Sequence, residues 1–194
     1  MPKTRLEAFS DGVIAVIITI MVLELKVPHG ADLASLVPVV PVFLSYLLSF
    51  VFVGIYWNNH HHLLHATQHV DGIALWANLH LLFWLSLVPF ATAWMNENDF
   101  APVPVALYGS VLLLAGLAYY ILARVLVTRH GKDSVLARAI GRDWKAVISL
   151  STYAAAIALA FWNGWAACAL YAVIAVIWFV PDSRIERYVE RRES

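Results

Sequence analysis

The chain has 194 residues, of which 61% are hydrophobic and 13% charged, whereas an ordinary soluble domain is about 45–50% apolar and about 25% charged. Thirteen Lys and Arg balance thirteen Asp and Glu, so no global basic surface exists for nucleic acid, and no acidic excess solvates a disordered tail. A single cysteine, Cys168, excludes an internal disulfide framework and any Cys-based zinc site, and eight tryptophans suit a chain that crosses membrane interfaces. The composition is that of a membrane protein.

Runs of about 20 mainly apolar residues span a bilayer as helices. Six are expected, at roughly 12–27, 38–59, 73–95, 103–127, 145–162 and 164–181. Pro28 to Gly30, His60 to Gly72, Asn96 to Pro104, Thr128 to Asp143 and the short Asn163-Gly164 turn separate them. The expected organisation is an all-α integral membrane domain over 1–183 with a short charged tail over 184–194, and no internal repeat. The first run also has the charged approach of a secretory signal in Lys3 and Arg5, but Glu7 and Asp11 interrupt it and no small-x-small site follows.

Lys and Arg are retained on the cytoplasmic side of a membrane. Lys3 and Arg5 precede the first span. Arg124, Arg129, Lys132, Arg138, Arg142 and Lys145 flank the fourth-to-fifth loop, and Arg184, Arg187, Arg191 and Arg192 follow the last span. Only Lys26 falls on the other side. A multi-pass protein of the cell membrane with both termini cytoplasmic is expected, and an even number of spans agrees.

Polar residues at membrane depth are the informative ones, because a central ionisable group costs about 2.5–3.5 kcal/mol even on the lenient insertion scale. Asp11 opens the first span. Six residues separate it from Arg5, about 120° around a helix, so the pair does not form within the helix. A partner on another helix is expected, and Trp57, His60, His61, Asp71 and Asn78 fall at the same depth. A network joining Ser10 and Asp11 to His60 or His61 and Asn78 is one reading. Simple capping of the first helix by Ser10 and Asp11 is the other.

His60, His61, His62, His65 and His69 include i,i+4 pairs, leaving three readings: a metal site, a pH sensor titrating near neutrality, or structural interface residues. No HExxH, GxSxG, P-loop, GxGxxG or CxxC motif occurs, and no TVGYG filter. Any ion pathway is therefore lined by side chains. Gly109, Ser110, Ala115 and Gly116 in span four suit close helix packing. In span one Val16, Thr19, Ile20 and Leu23 follow i, i+3, i+4, i+7 spacing. Their neighbours are nearly all apolar, so the pattern alone leaves open whether the stripe faces lipid, protein or water.

The segment Arg5-Leu6-Glu7-Ala8-Phe9-Ser10-Asp11-Gly12 resembles the RxxxFSD signature of the transmembrane protein 175 family of potassium channels, in its prokaryotic form. Trp57 with His60 and His61, Asn78, and Pro89-Phe90-Ala91-Thr92 match further motifs of that family, while spans four to six match in hydropathy and count. The resemblance implies a homotetramer of six-helix subunits in the lipid bilayer, with four first helices lining a central pore and no P-loop filter. It places a hydrophobic constriction at Val16, Ile20 and Leu23 and a selectivity-linked threonine at Thr19, with Arg5, Phe9, Ser10, Asp11, Trp57, His60, His61 and Asn78 supporting the pore helix. Val16 stands where an Ile or Leu is usual, which opens that layer slightly. The implied activity is passive conduction of potassium and other monovalent cations with modest selectivity, without catalysis, cofactor, resident metal or nucleic acid. A proton or poorly selective cation leak is the alternative within transport, and a His-rich membrane metalloprotein the alternative outside it. Glu24 lies near the outer mouth.

Overall fold

A computed structural model describes residues 3–130 and 144–179. Water is absent from the bilayer core, so a spanning chain must satisfy its backbone polar groups within itself, which these apolar runs do by coiling into helices. The helices are α1 (Lys3–Leu23), α2 (Val40–His65), α3 (Gly72–Ser86), α4 (Val88–Glu97), α5 (Pro102–His130), α6 (Trp144–Ala160) and α7 (Gly164–Phe179). The continuous run from Gly72 to Glu97 takes in α3 and α4 and counts as one pass. It and the runs of α1, α2 and α5 are each long and apolar enough to cross a membrane, and two shorter apolar helices, Val147–Ala160 and Gly164–Phe179, follow. Four candidate spans and two shorter apolar helices thus succeed one another in the expected order.

Helix α1 ends at Leu23 rather than near residue 27, and three other boundaries differ from expectation for a local reason. Helix α1 begins at Lys3 rather than near residue 12, because the polar residues ahead of the apolar run remain helical and Lys3 pairs with Glu7 one turn on, at 3.5 Å. Ser10 and Asp11 therefore lie inside the helix, and the capping reading fails. Helix α2 continues to His65, so His60, His61 and His62 are helical rather than in a connecting loop. The third span breaks at Leu87, since Pro89 has no N–H and its ring crowds the carbonyl four residues back. The Leu87 N–H bonds instead to the Trp84 carbonyl, one residue nearer than in an α-helix, at 3.2 Å.

The turns carry their own signals. Asp32 caps a 3-10 turn (Leu33–Val39) by accepting from the Ser35 N–H, and Asp71 caps α3 by accepting from the Ala74 N–H at 2.9 Å. Asn163 opens α7 by accepting from the Ala166 N–H at 3.1 Å. Gly164 follows it because a Cβ there would lie 2.6 Å from the Phe100 carbonyl oxygen.

Helix α5 is the axis of packing, against α3, α4, α6 and α7. Between helices in lipid the hydrophobic effect contributes little, so contact rests on close van der Waals fit. Ala115, Ala118, Ala156, Ala160 and Ala167 are all fully buried and permit that fit. Helix α1 lies outside this core and packs mainly against α2, α3 and α4. It buries one stripe, Leu6, Ser10, Ile14, Ile17 and Met21.

Charged contacts mark the two ends of the bundle. At one end Lys3 donates to the His65 carbonyl at 3.1 Å, and Arg129 pairs with Asp71 at 2.9 Å. At the other, Lys26 pairs with Glu97 at 3.2 Å. The tail over 184–194 and the cations Lys132, Arg138 and Arg142 lie outside the described residues.

Candidate pore-lining site

The stripe proposed from spacing lies along the open side of α1. Phe9, Val16, Ile20 and Leu23 are 51%, 54%, 44% and 79% exposed, and Thr19, Arg5 and Gly12 share that side. At 100° per residue the stripe is centred about 120° from the buried one, so packing against α2 to α4 leaves it uncovered. Thr19 donates its hydroxyl proton back to its own helix, with the Ala15 and Val16 carbonyls at 3.0 and 2.9 Å. Its oxygen therefore presents lone pairs outward.

Two adjoining contacts hold the opposite side, rather than the one network expected. In the buried contact, the Asn78 amide donates to the Ser10 hydroxyl at 3.0 Å, and its carbonyl oxygen lies 2.7 Å from His60 Nε2. Ser10 and Asn78 are 0% exposed and His60 2%. This chain joins α1, α3 and α2 across a dry interface, where an unpaired polar group is costly. The exposed contact lies one residue round: Trp57 Nε1 donates to Asp11 Oδ1 at 3.0 Å. His61 stacks on Trp57 with ring centroids 6.2 Å apart, and His65 stacks on His61 at 6.1 Å. Asp11 thus pairs with an indole rather than a histidine, and the two adjacent histidines divide between the buried and the exposed contact. Histidine side chains stacked in this way present parallel rings instead of converging nitrogens. No group of three or more His, Cys, Asp or Glu suited to a metal ion occurs among the described residues.

A second polar ladder, not expected from the sequence, joins α2 to α4 and α5. Ser45 bonds Asn96 at 2.6 Å, and Ser49 bonds both Thr92 at 2.8 Å and Tyr108 at 3.0 Å. A signal was present, since Ser45 and Ser49 and likewise Thr92 and Asn96 are i,i+4 pairs that each define one helix face. A groove also runs beside the stripe, between Phe9, Val13, Val16 and Ile20 of α1 and Pro89, Phe90 and Ala93 of α4, with Glu24 at its end. Pro89 and Phe90, just beyond the break at Leu87, form part of its far wall.

These features define a multi-pass helical membrane protein whose first helix is held by buried polar contacts on one face and left open along another. The family model described as endosomal/lysosomal potassium channel TMEM175 matches residues 5–89. A potassium channel from a Chryseobacterium species is 54% identical over 187 residues, covering 96% of this chain and 97% of that protein. A potassium channel from Chamaesiphon minutus is 30% identical, covering 89% and 91%. The human endosomal/lysosomal proton channel TMEM175 is 36% identical over 96 residues, 43% of this chain and 19% of that one. Among solved structures, a lysosomal potassium-selective channel TMEM175 homolog from Chamaesiphon minutus superposes with a TM-score of 0.78 at 29% identity, covering 93% and 97%. The chain belongs to the TMEM175 family, whose named members here are channels rather than enzymes.

Proposed function

We propose that the chain is a passive potassium-permeable cation channel in which four copies surround a pore lined by α1. The observation that carries this reading is the open stripe of Val16, Thr19, Ile20 and Leu23, beside a face pinned by Ser10, Asn78 and His60. One helix encloses nothing, so a path lined by it requires a closed ring with like contacts repeated around an axis. In that ring Val16, Ile20 and Leu23 stack as apolar layers that gate by dewetting, and Thr19 supplies hydroxyl oxygens between them. Arg5 and Phe9 extend the lining toward the cytoplasmic mouth, and Asp11, Trp57 and His61 brace it from outside. Both termini are assigned to the cytoplasm, because Lys3 and Arg129 mark one end of the bundle and Lys26 the other.

Reconstitution in liposomes tests the proposal. Potassium efflux down a gradient, carried by a tetrameric species, is the expected result, and well-folded tetramers without flux overturn it. The exposed Asp11 and the stacked His61 and His65 favour a second reading, a proton or poorly selective cation leak. Reversal potentials under independent potassium and pH gradients separate the two: a potential that follows potassium supports the first reading, and one that follows pH the second.

A further inference from the structure

Away from α1, the subunit contains a cavity where α2 fails to close on α5 and α6. Helix α2 packs on α1, α4 and α7, but it makes no comparable backbone approach to α5 or α6. Aromatic side chains bridge the gap. Tyr56 and Tyr119 meet edge to face at 6.3 Å, and Tyr153 contacts Phe52 at the same centroid distance. Between them lies a small, partly open recess of about 40 Å³, whose mouth gives onto the partly exposed surface of the bundle. Ile55, Gly116, Tyr120, Leu150 and Trp178 form its outer walls and are partly exposed.

Its polar side is under-used. Tyr153 is 4% exposed, and among the described residues its hydroxyl meets no hydrogen-bond partner. Every fully sequestered side-chain nitrogen or oxygen among the described residues does have one, which leaves the Tyr153 oxygen in contact with the open space. The neighbouring Tyr56 hydroxyl reaches the Leu112 carbonyl only at 3.4 Å, longer than a well-formed O–H···O bond. Trp178 Nε1 is already bound to the Ser149 hydroxyl at 2.7 Å and offers nothing further. A buried hydroxyl without a partner is costly, and apolar walls cannot supply one.

We infer that this cavity is a binding site for a small membrane-dissolved molecule with a flat apolar body and one hydroxyl, of the phenol or aryl-alcohol type. The body fills the aromatic mouth, and the hydroxyl meets Tyr153 and Tyr56. Such sites are lined mostly by apolar and aromatic groups with a few placed polar ones. The site is coupled to α1 by adjacency along α2. Tyr56 precedes Trp57, which holds Asp11, and Asn59 precedes His60, which holds Asn78. Displacement of α2 by an occupant is therefore felt at both anchors of the first helix. Binding stands independently of the channel proposal, while its effect on flux rests on it.

Benzyl alcohol is a suitable probe, with toluene as the hydroxyl-free control for general effects on the lipid or detergent. Thermal unfolding of the purified protein reads binding without requiring conduction. Benzyl alcohol is expected to raise the midpoint of the wild type saturably, and toluene to do so at least about fivefold more weakly. Tyr153→Phe keeps the ring and should weaken the response about fivefold, the order of one hydrogen bond. Gly116→Ala places a methyl group 3.4 Å from the Tyr56 oxygen and 3.6 Å from Leu150, at ordinary contact, and should abolish the response by filling the space. Equal responses to both probes, or responses unchanged in both variants, overturn the site. In liposomes, a change in potassium flux that tracks the thermal shift supports the coupling to α1. Saturable binding with unchanged flux leaves the site standing and overturns the coupling.

Discussion

Replacing Asn78 by Leu should loosen the first helix measurably. The side chain donates to Ser10 and lies within hydrogen-bond distance of His60, all three in a dry interface. Leu is close in volume, so little of the loss arises from a cavity. In soluble proteins each such bond contributes about 0.5–1.5 kcal/mol net, and a buried group left unpaired costs about 1–3 kcal/mol. Within membranes the measured couplings are smaller, averaging about 0.6 kcal/mol with a maximum of about 1.7. Two bonds lost and two groups stranded give about 1–3 kcal/mol, a shift of roughly 5- to 150-fold in the unfolding equilibrium. Reversible unfolding in mixed micelles measures this, and a cycle with Ser10→Ala isolates the pair. Because Ser10→Ala removes one stranded group, the double variant should cost less than the two single variants together. A loss below about 0.5 kcal/mol, with strict additivity, would refute the view that Asn78 anchors α1.

Three further outcomes are expected. Leu23→Ala and Ile20→Asn each open or wet one apolar ring, and relieving about 1.4 kcal/mol of barrier should raise liposome potassium flux about tenfold. Gly164→Ala drives a methyl group to 2.6 Å from the Phe100 carbonyl oxygen, and such overpacking should lower stability by about 1–3 kcal/mol in thermal unfolding. Trp57→Phe keeps the ring stacked on His61 but removes the N–H from Asp11, a solvent-exposed contact. It should cost about 0.5–1 kcal/mol by the same assay, less than Asn78→Leu.

The six apolar helical runs were legible because lipid imposes long apolar runs, and their punctuation by Pro28, Asn163 and Gly164 was equally plain. The start of α1 was not, since hydropathy reports where lipid begins rather than where a helix does. Pro89 was visible, but a proline in a membrane helix either kinks or breaks it, and packing decides which. The direction of the open stripe on α1 was suggested only by resemblance. In a helix apolar on almost every side, the direction of Val16 follows from what covers Ile14 and Ile17, and sequence spacing does not carry that. The depth match of Ser10, His60 and Asn78 was readable from up-down topology. The choice between His60 and His61 was not, because adjacent helical residues point about 100° apart and the rotation of α2 is set by its neighbours.

The two ends of α1 are held unequally. Near its start lies the sequestered Ser10, Asn78 and His60 chain; beyond its finish, a single solvent-exposed ion pair joins Lys26 to Glu97. Between them lie the exposed bond from Trp57 to Asp11, beside Ser10, and apolar packing by Ile14, Ile17 and Met21, which has no directional bonds to break. The helix is therefore mounted as a lever with its fulcrum near Ser10. Leu23 lies thirteen residues on, about 20 Å along the axis, so a tilt of about 5° carries it sideways by about 1.7 Å. In the proposed ring, two opposing copies together travel about 3.4 Å, somewhat more than the diameter of a water molecule, without severing the bonds among Ser10, Asn78 and His60.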